Sequence, residues 1–239
     1  MECNLLFTEA YRGLALLTLV NLLNYVDRYV VAALVGTLQE DPQLAINDEQ
    51  AGLLMTSFVI VYTIASPLFG RIGDTGHRTR ILAVGVLIWS AATAAGGLAG
   101  SFLGLFVARA FVGVGEAAYG TVSSPIIADW FPPAKRGVAY AVFFMAIPVG
   151  AALGYVLGGL VDAAYGWRAT FFIAGIPGIL LAWFVSRLPD PERGQLDETP
   201  DLAADTRSSF VVYWEILRTR KQFRYASLGY GAYTFAVGG

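Results

Sequence analysis

Charge is scarce in this 239-residue chain: Asp, Glu, Lys and Arg together make up 14%, against roughly 25% in soluble domains. Cysteine is nearly absent, and a lone Cys3 excludes an internal disulfide. There is one histidine, His77, so a Ser-His or Cys-His nucleophile pair is implausible, as is a zinc site of several His and Cys. No Gly-x-Ser-x-Gly and no P-loop occurs. An intramembrane aspartyl protease would want two membrane aspartates, and the apolar stretches offer only Asp27. The net charge of -2 comes with no basic patch interleaved with aromatics, which argues against nucleic acid as a partner. The expectation is a protein that is not an enzyme and carries no cofactor and no metal.

What the chain has in excess is apolar surface. Hydrophobic residues make up 56%, more than a soluble core of this size hides, so lipid is the natural solvent. Runs without Asp, Glu, Lys or Arg give the spans, each near the 20 residues a transmembrane helix needs. They are Gln50 to Gly70, Val138 to Val161, Ala169 to Ser186, and Ile81 to Ala108, the last long enough for two helices and cut at Gly100-Ser101. A first span, about Gly13 to Leu38, is interrupted by Asp27-Arg28, and a fourth, about Phe102 to Ala128, by Arg109 and Glu116. The first apolar stretch is too long for a cleaved signal core and reads as a retained helix. A seventh stretch opens near Tyr225 and stops at Gly239. The expected organisation is a six-helix bundle over residues 1–187, a polar linker with Pro189, Pro191 and Pro200 over 188–222, and the start of helix 7 over 223–239, with a second half missing. Phe210 to Arg218 reads either as an amphipathic surface helix or as a solvated one.

Orientation follows the positive-inside rule. With the N-terminus in the cytoplasm, thirteen Lys and Arg lie inside, from Arg12 through Arg71, Arg78, Arg80, Lys135 and Arg136 to Arg224, and only Arg168 lies outside. Short loops and Ala/Gly-rich helices lean towards a bacterial inner membrane.

Ionisable groups inside a bilayer are expensive and face a cavity or a partner. Asp27, Arg28, Arg109 and Glu116 are four such groups. Arg109 and Glu116 are seven residues apart, two turns, and share one helix face. Asp27 and Arg28 are adjacent, so their side chains diverge by about 100° and do not simply pair with each other. One reading is a proton-coupling and substrate site: burial favours the protonated form of a carboxylate and a nearby guanidinium the ionised form. Asp27 and Glu116 then carry protons, and Arg28 and Arg109 control charge or hold an anionic headgroup. The other reading is a structural ion pair tying helix 1 to helix 4. Tyr25, Tyr29, Phe58, Tyr62, Tyr119 and Phe143 are candidates to line an amphiphile's cavity, with plain packing as the competing account. Gly150, Gly154 and Gly158 recur at four-residue spacing, which lets helices approach closely. Trp167 is expected to anchor at the membrane interface.

The loop Gly70-Arg-Ile-Gly-Asp74-Thr-Gly-His-Arg78-Thr-Arg80 resembles the signature loop of the major facilitator superfamily. Gly70, Asp74 and Arg78 match; Thr75 and His77 depart from the pattern. The resemblance implies a cytoplasmic gating cluster of Asp74 and Arg78 with Asp129 at the end of helix 4. The stretches around Asn24 to Tyr29, Ala51 to Phe58, Arg109 to Tyr119, Ile126 to Phe131 and Ala146 to Tyr155 look like spinster-type lipid transporters. The resemblance implies an all-α fold in which helices 1–3 and 4–6 are inverted repeats. It further implies a monomeric, proton-coupled transporter working by alternating access, with lysophospholipids or sphingolipids as substrates and membrane lipids around it. A proton-coupled organic anion symporter of the same superfamily and a seven-helix receptor or channel remain the alternatives.

Overall fold

The computed structural model describes residues 2–196, 214–215 and 218–238, and the side chains of fewer. Most of the Phe210 to Arg218 segment and much of the 188–222 linker lie outside the described residues. Seven helices are described: α1 Glu2–Glu40, α2 Asp48–Thr75, α3 Arg78–Gly96, α4 Phe102–Trp130, α5 Pro133–Tyr165, α6 Trp167–Val185 and α7 Lys221–Gly238. Residues 1–198 form one compact unit and 199–239, with α7, another. Among the described residues six helices, α1 through α6, are long and apolar enough to cross a membrane. The protein is a multi-pass integral membrane protein.

Local chemistry sets the helix ends. Asn47 accepts from the Gln50 N–H at 2.8 Å while the Gln50 side chain accepts from the Asn47 N–H at 3.0 Å, a capping box that opens α2 with Asp48 and Glu49 in its first turn. Ser101 caps α4, which divides the long charge-free run where Gly100-Ser101 predicts. Pro133 starts α5. Gly166, at φ +81, separates α5 from α6 in a region that favours glycine.

Helix α5 runs past the predicted end at Val161 and carries a charge the pattern excluded. Asp162 stays near the bundle because Thr37 of α1 donates to its carboxylate at 2.5 Å. A carboxylate with a hydrogen-bond partner costs far less at that depth than a bare one.

Burial is inverted relative to a soluble protein. Leu160, Leu180 and Leu98 are 66%, 65% and 76% exposed, whereas Asp27, Arg109 and Glu116 are 1%, 2% and 1% exposed. Apolar side chains face outward to lipid and the charges face inward.

The packed helix pairs repeat a two-fold pattern. Helix α1 packs on α5 and α6, α4 packs on α2 and α3, and α3 packs on α6. Exchanging 1 with 4, 2 with 5 and 3 with 6 returns the same set of pairs, as two inverted three-helix repeats require. The α1–α5 contact is close because of the glycine stripe. A Cβ on Gly150 would meet Tyr25 Cβ at 2.7 Å and Leu22 O at 2.8 Å, and one on Gly154 would meet Tyr29 Cβ at 2.8 Å. Only glycine admits that approach.

Trp167 is not an interfacial anchor. It is 4% exposed, and its indole N–H donates to Asp41 at 2.7 Å. An indole buried against Ala174 and Phe171 needs an acceptor for that N–H, and the α1–α2 loop supplies one.

Candidate functional site

The four intramembrane charges converge at the α1–α4 contact. Arg28 donates to Glu116 at 2.5 Å. Arg109 Nη1 lies 3.9 Å from Asp27 Oδ2, an ion pair too long to be a hydrogen bond. Thr93 of α3 donates to the same Asp27 oxygen at 2.8 Å. The neighbours Asp27 and Arg28 therefore pair to two different positions of α4, as their divergent directions demand. Phe58 of α2 completes the cluster: its ring centroid lies 4.8 Å from the Arg28 guanidinium carbon and 5.2 Å from that of Arg109, and Tyr25 lies 4.9 Å from Arg28. An aromatic face against a desolvated guanidinium is worth up to about 2 kcal/mol.

The cluster is electrically balanced and incompletely bonded. Asp27 Oδ1, Glu116 Oε1, Arg28 Nε, and Arg109 Nε and Nη1 are buried without a hydrogen-bond partner among the described residues. Each such group costs about 1–3 kcal/mol. Only Arg28 is substantially accessible, with 33% of its side chain exposed. An anion arriving from outside the bundle would meet Arg28 first.

The candidate lining residues divide. Tyr25 and Tyr62 are half-buried beside the cluster, Tyr29 is half-buried against Tyr155 of α5, and Phe58 is buried within the cluster. Tyr119 and Phe143 are 2% and 3% exposed and belong to the packed core. The Tyr119 hydroxyl donates to Leu17 O at 2.6 Å and its ring meets Trp89 edge-on. Both pack in the bundle core: the Tyr119 hydroxyl is satisfied inside, and Phe143 lies beside Tyr119 and Phe144.

At the other end of α2 and α4, Arg78 pairs with Asp129. Asp74 and Gly70 border the same small cavity of about 230 Å³ together with Gly73 and Thr121; Asp74 is exposed and Gly70 half-buried. The sequence pattern did not reveal Asp190, whose carboxylate accepts from the Arg78 N–H at 2.8 Å and from Arg78 Nε at 3.1 Å, nor Arg193, which donates to Gly73 O and Gly76 O. Both stand in a polar, proline-containing stretch that reads as linker. Thr93 was also missed; it lies in a charge-free run with nothing to set it apart. At the opposite end Asp41 gathers donors from Trp167, Gln43, Leu44 and Arg168. The Trp167 hydrogen bond, with these others, holds its carboxyl down at about 2.

Residues 17–239 match the Major Facilitator Superfamily, and the chain belongs to that family. Within it, the chain is similar to spinster-type proteins. It is 38% identical over 229 residues to the sphingosine-1-phosphate transporter SPNS2 of Danio rerio, covering 91% of this chain and 44% of the relative. It is 37% identical to protein spinster of Drosophila melanogaster, covering 93% and 36%. The chain thus spans about half the length of these relatives or less. A crystal structure of a bacterial homolog to the human lysosomal transporter spinster, inward-facing and unoccupied, superposes with a TM-score of 0.75 at 27% identity over 92% of this chain and 51% of that one. A peptide transporter at 20% identity and TM-score 0.67 shares the fold. These are transporters rather than enzymes.

Proposed function

We propose that the protein is a proton-coupled secondary transporter that moves an amphiphilic, lipid-like substrate by alternating access. The observation that carries this reading is the half-satisfied cluster. A structural ion pair would be selected for complete bonding, since a partly satisfied buried network is worse than an apolar core. Five buried polar atoms without a partner among the described residues, around two carboxylates and two guanidiniums, suit a site whose partners change during work. The similarity to a sphingosine-1-phosphate transporter supports a substrate with an anionic headgroup and an apolar tail.

In this mechanism Arg28 is the exchange point. An anionic headgroup takes the guanidinium from Glu116, and a proton on Glu116 relieves the carboxylate left behind. Asp27 stays under Arg109 and Thr93 until the helices move, when separation from Arg109 lets it accept or release its own proton. Protonation thereby biases which face is open, as a population shift requires. The Arg78 end faces the cytoplasm, where the Lys and Arg of the loops collect.

The test is uptake of a labelled lysophospholipid by proteoliposomes containing the full-length protein, with and without an imposed pH gradient. Gradient-dependent accumulation is the expected result. Accumulation of a small organic carboxylate, unaffected by lysolipid competition, would replace the lipid substrate; absence of counterflow for either would remove transport itself.

A further inference from the structure

Helix α3 begins without a cap of its own: His77 holds the N-cap position and makes no side-chain hydrogen bond there. The missing acceptor comes from residues beyond the end of α6. Asp190 accepts from the first N–H of α3, that of Arg78, at 2.8 Å and from the Arg78 side chain at 3.1 Å. The Arg78 guanidinium also donates to Pro191 O at 2.5 Å. Three residues on from Asp190, Arg193 donates to Gly73 O at 2.9 Å and Gly76 O at 2.8 Å, so a cation sits on the terminal carbonyls of α2. The Gly194 N–H then donates to the Asp129 carboxylate at 2.9 Å, and the Gln195 side chain to Asp129 O at 2.9 Å, at the end of α4. One segment of six residues thus supplies a carboxylate to a helix N-terminus and a guanidinium and an amide to two helix C-termini. Each has the sign or polarity that those unpaired backbone groups call for.

The three helices it caps are those that present partners to α1. Phe58 stands on α2, Thr93 on α3, and Arg109 and Glu116 on α4. Helix α1 itself is held by the glycine stripe of α5. We propose that residues 190–195 are a detachable strap: bound, they hold the Arg78 ends of α2, α3 and α4 as one unit; released, they let those ends part, which opens the cavity beside Asp74 and Thr121 and loosens the charge cluster that the same helices carry. The strap lies in the chain between α6 and α7, so a pull from the downstream chain is the natural means of release. The strap's hold on the cavity does not depend on the transport reading; its coupling to Glu116 deepens that reading.

The experiment labels a single cysteine. Thr121→Cys beside the cavity, or in a separate variant Gly100→Cys at the far end of the bundle, is placed in a full-length protein in which Cys3 and every other cysteine is replaced by Ser, and maleimide labelling rates are measured in proteoliposomes. Arg193→Gln and Asp190→Asn are expected to raise the Thr121→Cys rate at least five-fold and leave the Gly100→Cys rate unchanged, with Asp190→Glu largely restoring the parent value. Glu116→Gln is expected to alter the Thr121→Cys rate two-fold or more in the strapped protein and to add nothing once Arg193→Gln is present, since coupling is reciprocal. An unchanged rate in both strap variants, or an equal rise at both reporters, overturns the strap. A rise confined to Thr121→Cys with strictly multiplicative effects of Glu116→Gln overturns its link to the cluster. Labelling is read without any substrate, so failure of lysolipid uptake refutes the transport reading and leaves the strap to be judged on its own.

Discussion

Arg28 donates to Glu116 across the α1–α4 contact at 2.5 Å, and in doing so leaves its chain neighbour Asp27 to Arg109. The two pairs are unlike. A third of the Arg28 side chain is exposed, while Asp27, Arg109 and Glu116 are all sealed. The accessible pair is the one a headgroup can exchange into, and the sealed pair is the one that movement of the helices must break.

That difference predicts unequal costs. Glu116→Gln leaves a partly solvated guanidinium and should cost about 1 kcal/mol. Asp27→Asn strands a fully buried Arg109 and should cost about 3–5 kcal/mol. Thermal unfolding in detergent is expected to show the larger drop for Asp27→Asn, and both variants are expected to lose gradient-driven uptake. Wild-type uptake in either variant removes that residue from the mechanism.

Phe58 faces both guanidiniums. Phe58→Leu stays apolar but loses the ring, so about 1–2 kcal/mol of cation–π stabilisation disappears. Uptake is expected to fall about ten-fold, with Phe58→Trp retaining most of it. Equal behaviour of the Leu and Trp variants would exclude the ring's contact with the guanidiniums from the mechanism.

Two glycines of α5 predict opposite outcomes. A Cβ on Gly154 would press on Tyr29 and Val26, whereas one on Gly159 would meet nothing within 4 Å. Gly154→Val should displace α1 and cost about 1–3 kcal/mol. Gly159→Val should stay within about 0.5 kcal/mol of the parent. Chemical or thermal denaturation of the two variants side by side checks this.

Asp41 predicts acid lability at the turn between α1 and α2. Its carboxyl titrates at about 2 in the folded protein against an ordinary 3.8. Its contribution is therefore full above about pH 4 and is lost as pH falls from there through about 2. Asp41→Asn should lower the unfolding temperature at neutral pH and flatten its dependence over that window. An unaltered acid slope in the variant would exclude Asp41 as the source.

Much of this was legible in the residues. The charge-free runs fix the spans because hydrocarbon penalises ions by several kcal/mol, and Gly100-Ser101 marks a break because serine caps and glycine turns. The same penalty singles out Asp27, Arg28, Arg109 and Glu116 as inward-facing, and adjacency alone rules out an Asp27–Arg28 pair. Tyr119, Phe143 and Trp167 were misplaced because an aromatic side chain suits a cavity, an interface and a core equally well; packing decides it, and for Tyr119 and Trp167 the polar tip's partner as well.

The sequence alone determined that this is a six-span bundle with buried charge at its centre, because the cost of placing ions in lipid is paid residue by residue and needs no knowledge of neighbours. Only the tertiary structure decided which carboxylate meets which guanidinium, that Thr93 and Phe58 join them, and that Asp190 and Arg193 close the ends of three helices. Those choices rest on distances between residues 30 to 120 positions apart, and no local pattern encodes which helix a side chain will face once six of them pack.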